Sequence, residues 1–229
     1  MKRFAGIILV LLIVTSFVSA DDEEFIVLAF RKNFQRGSIT TKIQILQDAS
    51  DETDVDMGPL YLLALDEVIG FVPELRSDPV ARDLSILTVQ LIGISGNREA
   101  LPQLWKLFML DSSQSLRINV LNAIAALPPA DPLIVASLND WVLDQNDAYR
   151  NDETTDLVVL SESAITLGAL GDISSFPVLF SASIAGYPAN VAEKARTALY
   201  RIEGDFPELI VRVIDTNPLL ENSKPSGSA

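Results

Sequence analysis

The feature that most constrains this chain is a stop-and-restart signal that recurs along it. At Gly96-Asn97, Ala130-Asp131, Gly171-Asp172 and Gly204-Asp205 one apolar helical pattern closes and another opens, at separations of 34, 41 and 33 residues. That spacing is the length of a two-helix repeat, a unit too small to bury its own apolar face and therefore obliged to stack on its neighbours. After each landmark the apolar residues recur every three or four positions, which gives a helix one buried stripe. Residues 100–110 place Leu101, Leu104 and Phe108 on that stripe, 132–143 place Ile134, Leu138 and Trp141, and 174–184 place Phe176, Leu179 and Phe180. A second helix then runs to the next landmark, carried by Leu116, Val120, Ile124 and Leu127, by Leu157, Leu160, Ala164 and Leu167, and by Val191, Ala195, Leu199 and Ile202.

The same pattern extends backwards through 59–71 and 80–94, and more loosely through 24–34 and 39–49. The expectation is all-α: about five antiparallel helix pairs stacked in chain order, plus a terminal helix near 206–214. Pro59, Pro102, Pro132, Pro177 and Pro207 each fall early in a first helix, where the missing N–H costs little. Gly96, Gly171 and Gly204 fall where helices should stop. Two acidic segments interrupt the regularity, 51–56 and 144–156; the second, thirteen residues poor in apolar side chains, reads as a loop on one edge of the stack.

The first residues stand apart. Lys2 and Arg3 precede an apolar run from Phe4 to Val18, and Val18-Ser19-Ala20 is a small-residue cleavage pattern, so 1–20 reads as a cleavable signal peptide. The run is short for a membrane span, no Cys is present to carry a lipid, and no later stretch is long and apolar enough to insert stably. The organisation expected is a signal peptide at 1–20, an N-terminal helical pair with its acidic loop at 21–56, repeats over 57–215, and a disordered tail over 216–229 rich in Ser, Pro and Gly. Export to the periplasm or the medium follows. Without Lys2 and Arg3 the balance is 15 basic against 31 acidic residues, a net charge of −16. Such a surface repels phosphate backbones, which argues against a nucleic-acid partner.

With these residues in view, the chain resembles the HEAT-repeat family, close to armadillo-like stacks. Ala164-Ile165-Thr166-Leu167-Gly168-Ala169-Leu170-Gly171-Asp172 is similar to the family's second-helix ending, and Ser77-Asp78-Pro79-Val80-Ala81-Arg82 to its inter-helix turn. Asp111 with Leu116-Arg117 is a looser copy of that turn, and Val191-Ala192 departs from it, with Ala in the place of the Arg. The resemblance covers roughly 57–214. It implies a right-handed α-solenoid, and it implies that Asp78, Arg82, Asp111 and Arg117 help tie neighbouring repeats together.

Little in the chain supports chemistry. It has no histidine and no cysteine, which removes Ser-His and Cys-His catalysis and the commonest zinc ligands. No lysine has a serine three residues before it, and neither a Gly-x-Ser-x-Gly elbow nor a phosphate-binding glycine loop is present. A carboxylate-based hydrolase or lyase would need a Glu pKa raised from ~4.3 to ~6 by an apolar pocket, whereas the acidic residues here cluster in polar loops. Asp51, Glu52, Asp54 and Asp56 offer oxygens, but Gly58 and Leu65 stand where an EF-hand loop needs other residues, so no metal is expected, and no cofactor. Trp105, Phe108, Trp141, Phe176 and Phe180 recur at helical spacing and read as core; Tyr149 and Tyr187 read as exposed loop residues available for contact.

What remains is binding. In a stack of helix pairs the second helices usually line the concave face, and their polar positions here are Gln90, Asn119, Asn122, Glu162, Thr166, Lys194 and Arg201. The function expected is a non-enzymatic scaffold or adaptor that recognises a protein partner in an exported assembly. The alternatives are the carboxylate enzyme, which only the resemblance favours since some HEAT-like proteins act on bilin chromophores, and a purely structural envelope component.

Overall fold

The computed structural model describes residues 20–72, 78–202, 204, 207–209 and 211. The signal segment (save Ala20), Ser77, Asp205, the tail from Thr216 and most of the terminal helix lie outside the described residues. Among the described residues the chain is all-helical, with no strand. The helices are α1 (Ala20–Arg36), α2 (Ile39–Ser50), α3 (Gly58–Gly70), α4 (Pro79–Ser95), α5 (Leu101–Leu110), α6 (Gln114–Ala125), α7 (Pro132–Arg150), α8 (Leu157–Leu170), α9 (Phe176–Ile184) and α10 (Ala189–Leu199). Single 3-10 turns at Arg98–Ala100 and Ile173–Ser175 lead into α5 and α9.

Local chemistry sets these boundaries. The carboxylate of Asp78 accepts the Val80 N–H at 2.8 Å, that of Asp131 the Leu133 N–H at 2.9 Å, and that of Asp156 the Val158 and Val159 N–H groups at 3.1 Å. Each satisfies donors that the first turn of a helix leaves open, which stabilises by about 1 kcal/mol per cap. Pro59, Pro79, Pro102, Pro132 and Pro177 all occupy the first or second helical position. Gly96 and Gly171 end α4 and α8 in the left-handed region, at φ 71° and 68°, where a side chain would be strained.

Packing follows two series. Each of α1, α3, α5, α7 and α9 packs against the next of that series; each of α2, α4, α6, α8 and α10 does the same, and the members of every pair pack on one another. The interior is one continuous cluster running from Phe34 and Leu46 through Leu60, Leu84, Leu104, Phe108, Leu121, Leu138 and Leu167 to Phe176 and Ile202. Phe108, Trp141 and Phe176 are buried, while Trp105 and Phe180 are half-buried against the cluster. Trp105 stacks on Phe108 at 5.0 Å and Trp141 meets the Phe108 ring edge-on at 5.2 Å. Near the N-terminal end Lys42 is buried, paired with Glu67, with its ammonium 5.2 Å from the Phe34 ring centre and 5.8 Å from that of Phe71.

The segment 144–156 departs from the expectation. Helix α7 does not end at Leu143 but continues to Arg150, leaving only 151–156 as connection. The reason is that the inward stripe persists in polar form: after Trp141 and Val142 come fully buried Asn146 and half-buried Tyr149, three to four residues apart. Arg150 in the last turn complements the helix dipole and reaches Ser181 Oγ with Nη2 at 2.7 Å.

Candidate functional site

The even-numbered helices α4, α6, α8 and α10, with the turn that follows α10, carry the residues expected to form a recognition face. Gln90 of α4 is exposed and donates its amide to Asn119 Oδ1 at 2.9 Å; Asn119 in turn donates to the Ser115 carbonyl at 2.9 Å. Asn122 of α6 is exposed and Glu162 of α8 is half-buried. Thr166 leaves the group: it is 1% exposed, and its hydroxyl points towards the Leu121 carbonyl, 3.4 Å away across the α6–α8 contact. Its place in the sequence, between exposed-looking Glu162 and the Leu167-Gly168 ending, hides that α8 is buried on most of its circumference, with Val159, Leu160, Ser163, Ala164, Leu167 and Gly168 also inside.

Lys194 and Arg201 come together. They line one groove of about 370 Å³ between α8 and α10, with Ile165 and Ala198 on its apolar side and Asn190, Glu193 and Thr197 beside them. Asn190, Lys194 and Thr197 of α10 and Arg201 of the turn after it fall at intervals of four, three and four, an exposed stripe beside the buried one of Val191, Ala195, Ala198 and Ile202. Lys194 and Arg201 form no ion pair with any described residue. Ile165, Asn190, Glu193 and Thr197 join the expected residues here; the spacing through Lys194 and Arg201 points to Asn190 and Thr197, whereas Ile165 enters only through the packing of α8 on α10.

The groove is shallow because the two helices nearly touch beneath it. A Cβ on Gly168 would lie 2.7 Å from the Ala198 Cα, so the α8 and α10 backbones are in contact, and Gly93 approaches Ala123 of α6 in the same way at 3.1 Å. A second groove of about 380 Å³ at the other end of the chain lies between α1 and the 51–57 turn, lined by Glu23, Glu24, Leu28, Arg31, Val55 and Asp56 among others. Among the described residues no cluster of three or more carboxylates is placed to hold a metal ion.

The residues assigned to ties between pairs have definite partners. Asp78 caps α4 through the Val80 N–H, and Arg82 is half-buried on the same helix. Asp111 is 2% exposed, and its carboxylate accepts the Ser113 N–H at 2.6 Å. Arg117 Nε donates to the Phe108 and Asp111 carbonyls at 3.0 and 2.7 Å, and its guanidinium lies 5.1 Å from the Phe108 ring centre. These bonds fasten α6 to the end of α5 within one pair. Burial lowers the Arg117 pKa, and the charges of Asp111 and Asp156 oppose that shift. Asp156, the cap of α8, also accepts the Gln114 amide at 3.0 Å, a bond that does join neighbouring pairs.

Tyr149 and Tyr187 are not free contact points. Tyr187 is 6% exposed; its hydroxyl donates towards Asn146 Oδ1 at 2.9 Å and the Gln145 carbonyl at 3.2 Å, and its ring lies 4.2 Å from that of Tyr149. Tyr149 belongs to α7 and donates to the Gly186 carbonyl at 3.4 Å. Burial, the first cause, pushes the Tyr187 phenol up to about 12. The polar end of α7 thus holds the connection between α9 and α10.

No helix among the described residues is long and apolar enough to cross a membrane. Comparison with protein-family models, with curated proteins and with solved structures returns no match for this chain.

Proposed function

We propose that this chain is a non-enzymatic, protein-binding scaffold or adaptor, built as a right-handed HEAT-like stack of helix pairs and working in the periplasm or outside the cell after removal of residues 1–20. The observation that supports it best is the run of even-numbered helices, each packed on the next, which carries Gln90, Asn119, Asn122, Glu162, Lys194 and Arg201 on the exposed or half-exposed side of a continuous apolar interior. An extended face of hydrogen-bonding side chains with few fixed charges suits recognition of another polypeptide. The absence of histidine and cysteine from the whole sequence leaves few groups able to transfer protons near neutral pH or to attack a substrate.

The test is a photo-reactive amino acid placed at Asn122 and, as control, at exposed Ala136 of α7, in the intact producing cells. Discrete protein adducts at position 122, lost in a Gln90→Glu/Asn119→Asp background, are the expected result. If capture is unchanged by those charges, or equal at Ala136, the even-numbered helices do not form the recognition face. N-terminal sequencing of the mature protein checks export: a start at Asp21 is expected.

A further inference from the structure

We infer that the α8–α10 groove receives an acidic, extended peptide segment, with two of its carboxylates on Lys194 and Arg201 and an aliphatic side chain against Ile165; the inference rests on the protein-binding reading above and names the partner's chemistry. Three observations carry it. The first is charge: the chain as a whole is at −14, yet here two exposed cations flank one groove and neither is neutralised by a described carboxylate. Of the groove's charges only Glu193 is negative. The second is composition: Asn190 and Thr197 alternate with the cations along one stripe, supplying hydrogen bonds to a backbone, while Ile165 and Ala198 supply an apolar side. The rest of the face is different, since Gln90 and Asn119 already satisfy one another.

The third is spacing. Lys194 of α10 and Arg201, in the tight turn that continues the helix past Leu199 through the Arg201 N–H to the Ala198 carbonyl, are seven residues apart, about two turns and so roughly 10 Å along the axis. A polyproline-II segment rises ~3.1 Å per residue with three residues per turn, so its side chains at i and i+3 share one side about 9 Å apart. Strand geometry does not fit as well, because i and i+3 point to opposite faces. The partner segment therefore carries Glu-x-x-Glu or Asp-x-x-Asp. A nucleic-acid strand would also bring anions, but it would have to approach a molecule of strong like charge.

The test uses the full chain and two labelled peptides of identical composition, Ac-Glu-Pro-Pro-Glu-Pro-Pro-Glu-NH2 and Ac-Glu-Glu-Pro-Pro-Pro-Pro-Glu-NH2, read by fluorescence anisotropy. The first should bind at least fivefold more tightly than the second, and Lys194→Glu/Arg201→Glu should weaken it at least tenfold with the circular dichroism spectrum unchanged. Glu193→Gln, which removes the groove's own negative charge, should tighten it about threefold and keeps the inference testable if the double variant misfolds. Equal binding of the two peptides, or binding indifferent to all three residues, overturns it. So does tighter binding of a dT7 oligonucleotide, or a self-association seen by sedimentation that the double variant abolishes, which would make a second copy the occupant. Asn122 adducts that persist in the double variant would leave the protein-binding reading standing and remove this inference alone; loss of discrete Asn122 adducts in the unaltered protein removes the reading itself.

Discussion

Gly168 of α8 and Ala198 of α10 stand so close that a Cβ added at Gly168 would lie 2.7 Å from the Ala198 Cα. Gly93 of α4 and Ala123 of α6 repeat the relationship two steps earlier in the same series, at the looser distance of 3.1 Å. The backbones of successive even-numbered helices are brought together wherever one of them lacks a side chain.

Replacing Gly168 by Ala removes an intrinsic helix penalty of about 1 kcal/mol but inserts a methyl group against backbone that cannot yield, a strain of typically 1–3 kcal/mol. The clash wins at 2.7 Å, so Gly168→Ala should lower the urea midpoint with no change in slope. Gly93→Ala, with several tenths of an ångström more room, should cost less. Equal effects at the two sites would show that α8 and α10 separate freely.

Tyr187 should act as a latch between α7 and the α9–α10 connection. Tyr187→Phe leaves the Asn146 and Gln145 oxygens without their donor in a buried place, a loss of about 1–3 kcal/mol in a urea titration. The raised phenol pKa adds a pH dependence whose sign is fixed. Below pH 10 both folded and unfolded forms keep the proton; between 10 and about 12 the unfolded chain releases it first. The Tyr187 contribution is therefore complete below pH 10 and is lost as the pH rises through 12. The stability difference between the native chain and Tyr187→Phe should shrink over that window, and a difference that stays flat would place the hydroxyl in water.

At the start of α8 one carboxylate serves three donors. Asp156→Ala should cost about 1–2 kcal/mol, because it opens the Val158 and Val159 N–H groups and frees Gln114 together. Gln114→Ala, which loses only the exposed bond to the next pair, should stay within about 0.5 kcal/mol. Thermal unfolding of the two variants side by side distinguishes capping from the inter-pair bond.

The pair of buried Lys42 and half-buried Glu67 predicts a non-additive result. Glu67→Leu alone leaves a buried ammonium without its carboxylate, beside the rings of Phe34 and Phe71, and should cost about 3 kcal/mol. Adding Lys42→Met should restore most of that loss, since an apolar pair of similar volume fits the site. A double variant no better than the single one would mean that the ion pair itself holds α2 and α3 in place.

The helical period was legible because it is written in aliphatic residues with punctuation at both ends. Pro132 and Asp131 start α7 where the pattern says, and Gly96 and Gly171 stop α4 and α8. What could not be read was burial of polar groups. Asn146 and Thr166 are polar by composition and interior by position, each accepted because a single partner, Tyr187 or the Leu121 carbonyl, lies within reach. Those partners are 41 and 45 residues away in sequence, so no local pattern announces them. For the same reason the apolar pattern of α7 stops at Leu143 although the helix runs to Arg150, and nothing near Tyr187 in sequence announces its burial. The groove was half visible: Lys194 and Arg201 follow one helical spacing, though the helix itself ends at Leu199, but Ile165 belongs to another helix and joins them through the close approach of Gly168 to Ala198.

The contacts that unite these helices join elements one or two places apart along the chain. Closing such short loops demands little chain entropy before it is rewarded, so the barrier to folding is low for a protein of this length. Each pair packs on the pair that precedes it in the chain. Synthesis or translocation that delivers the chain from its N-terminal end therefore supplies the segments in the order in which they can be used, and a polypeptide emerging slowly need never expose its whole greasy interior at once.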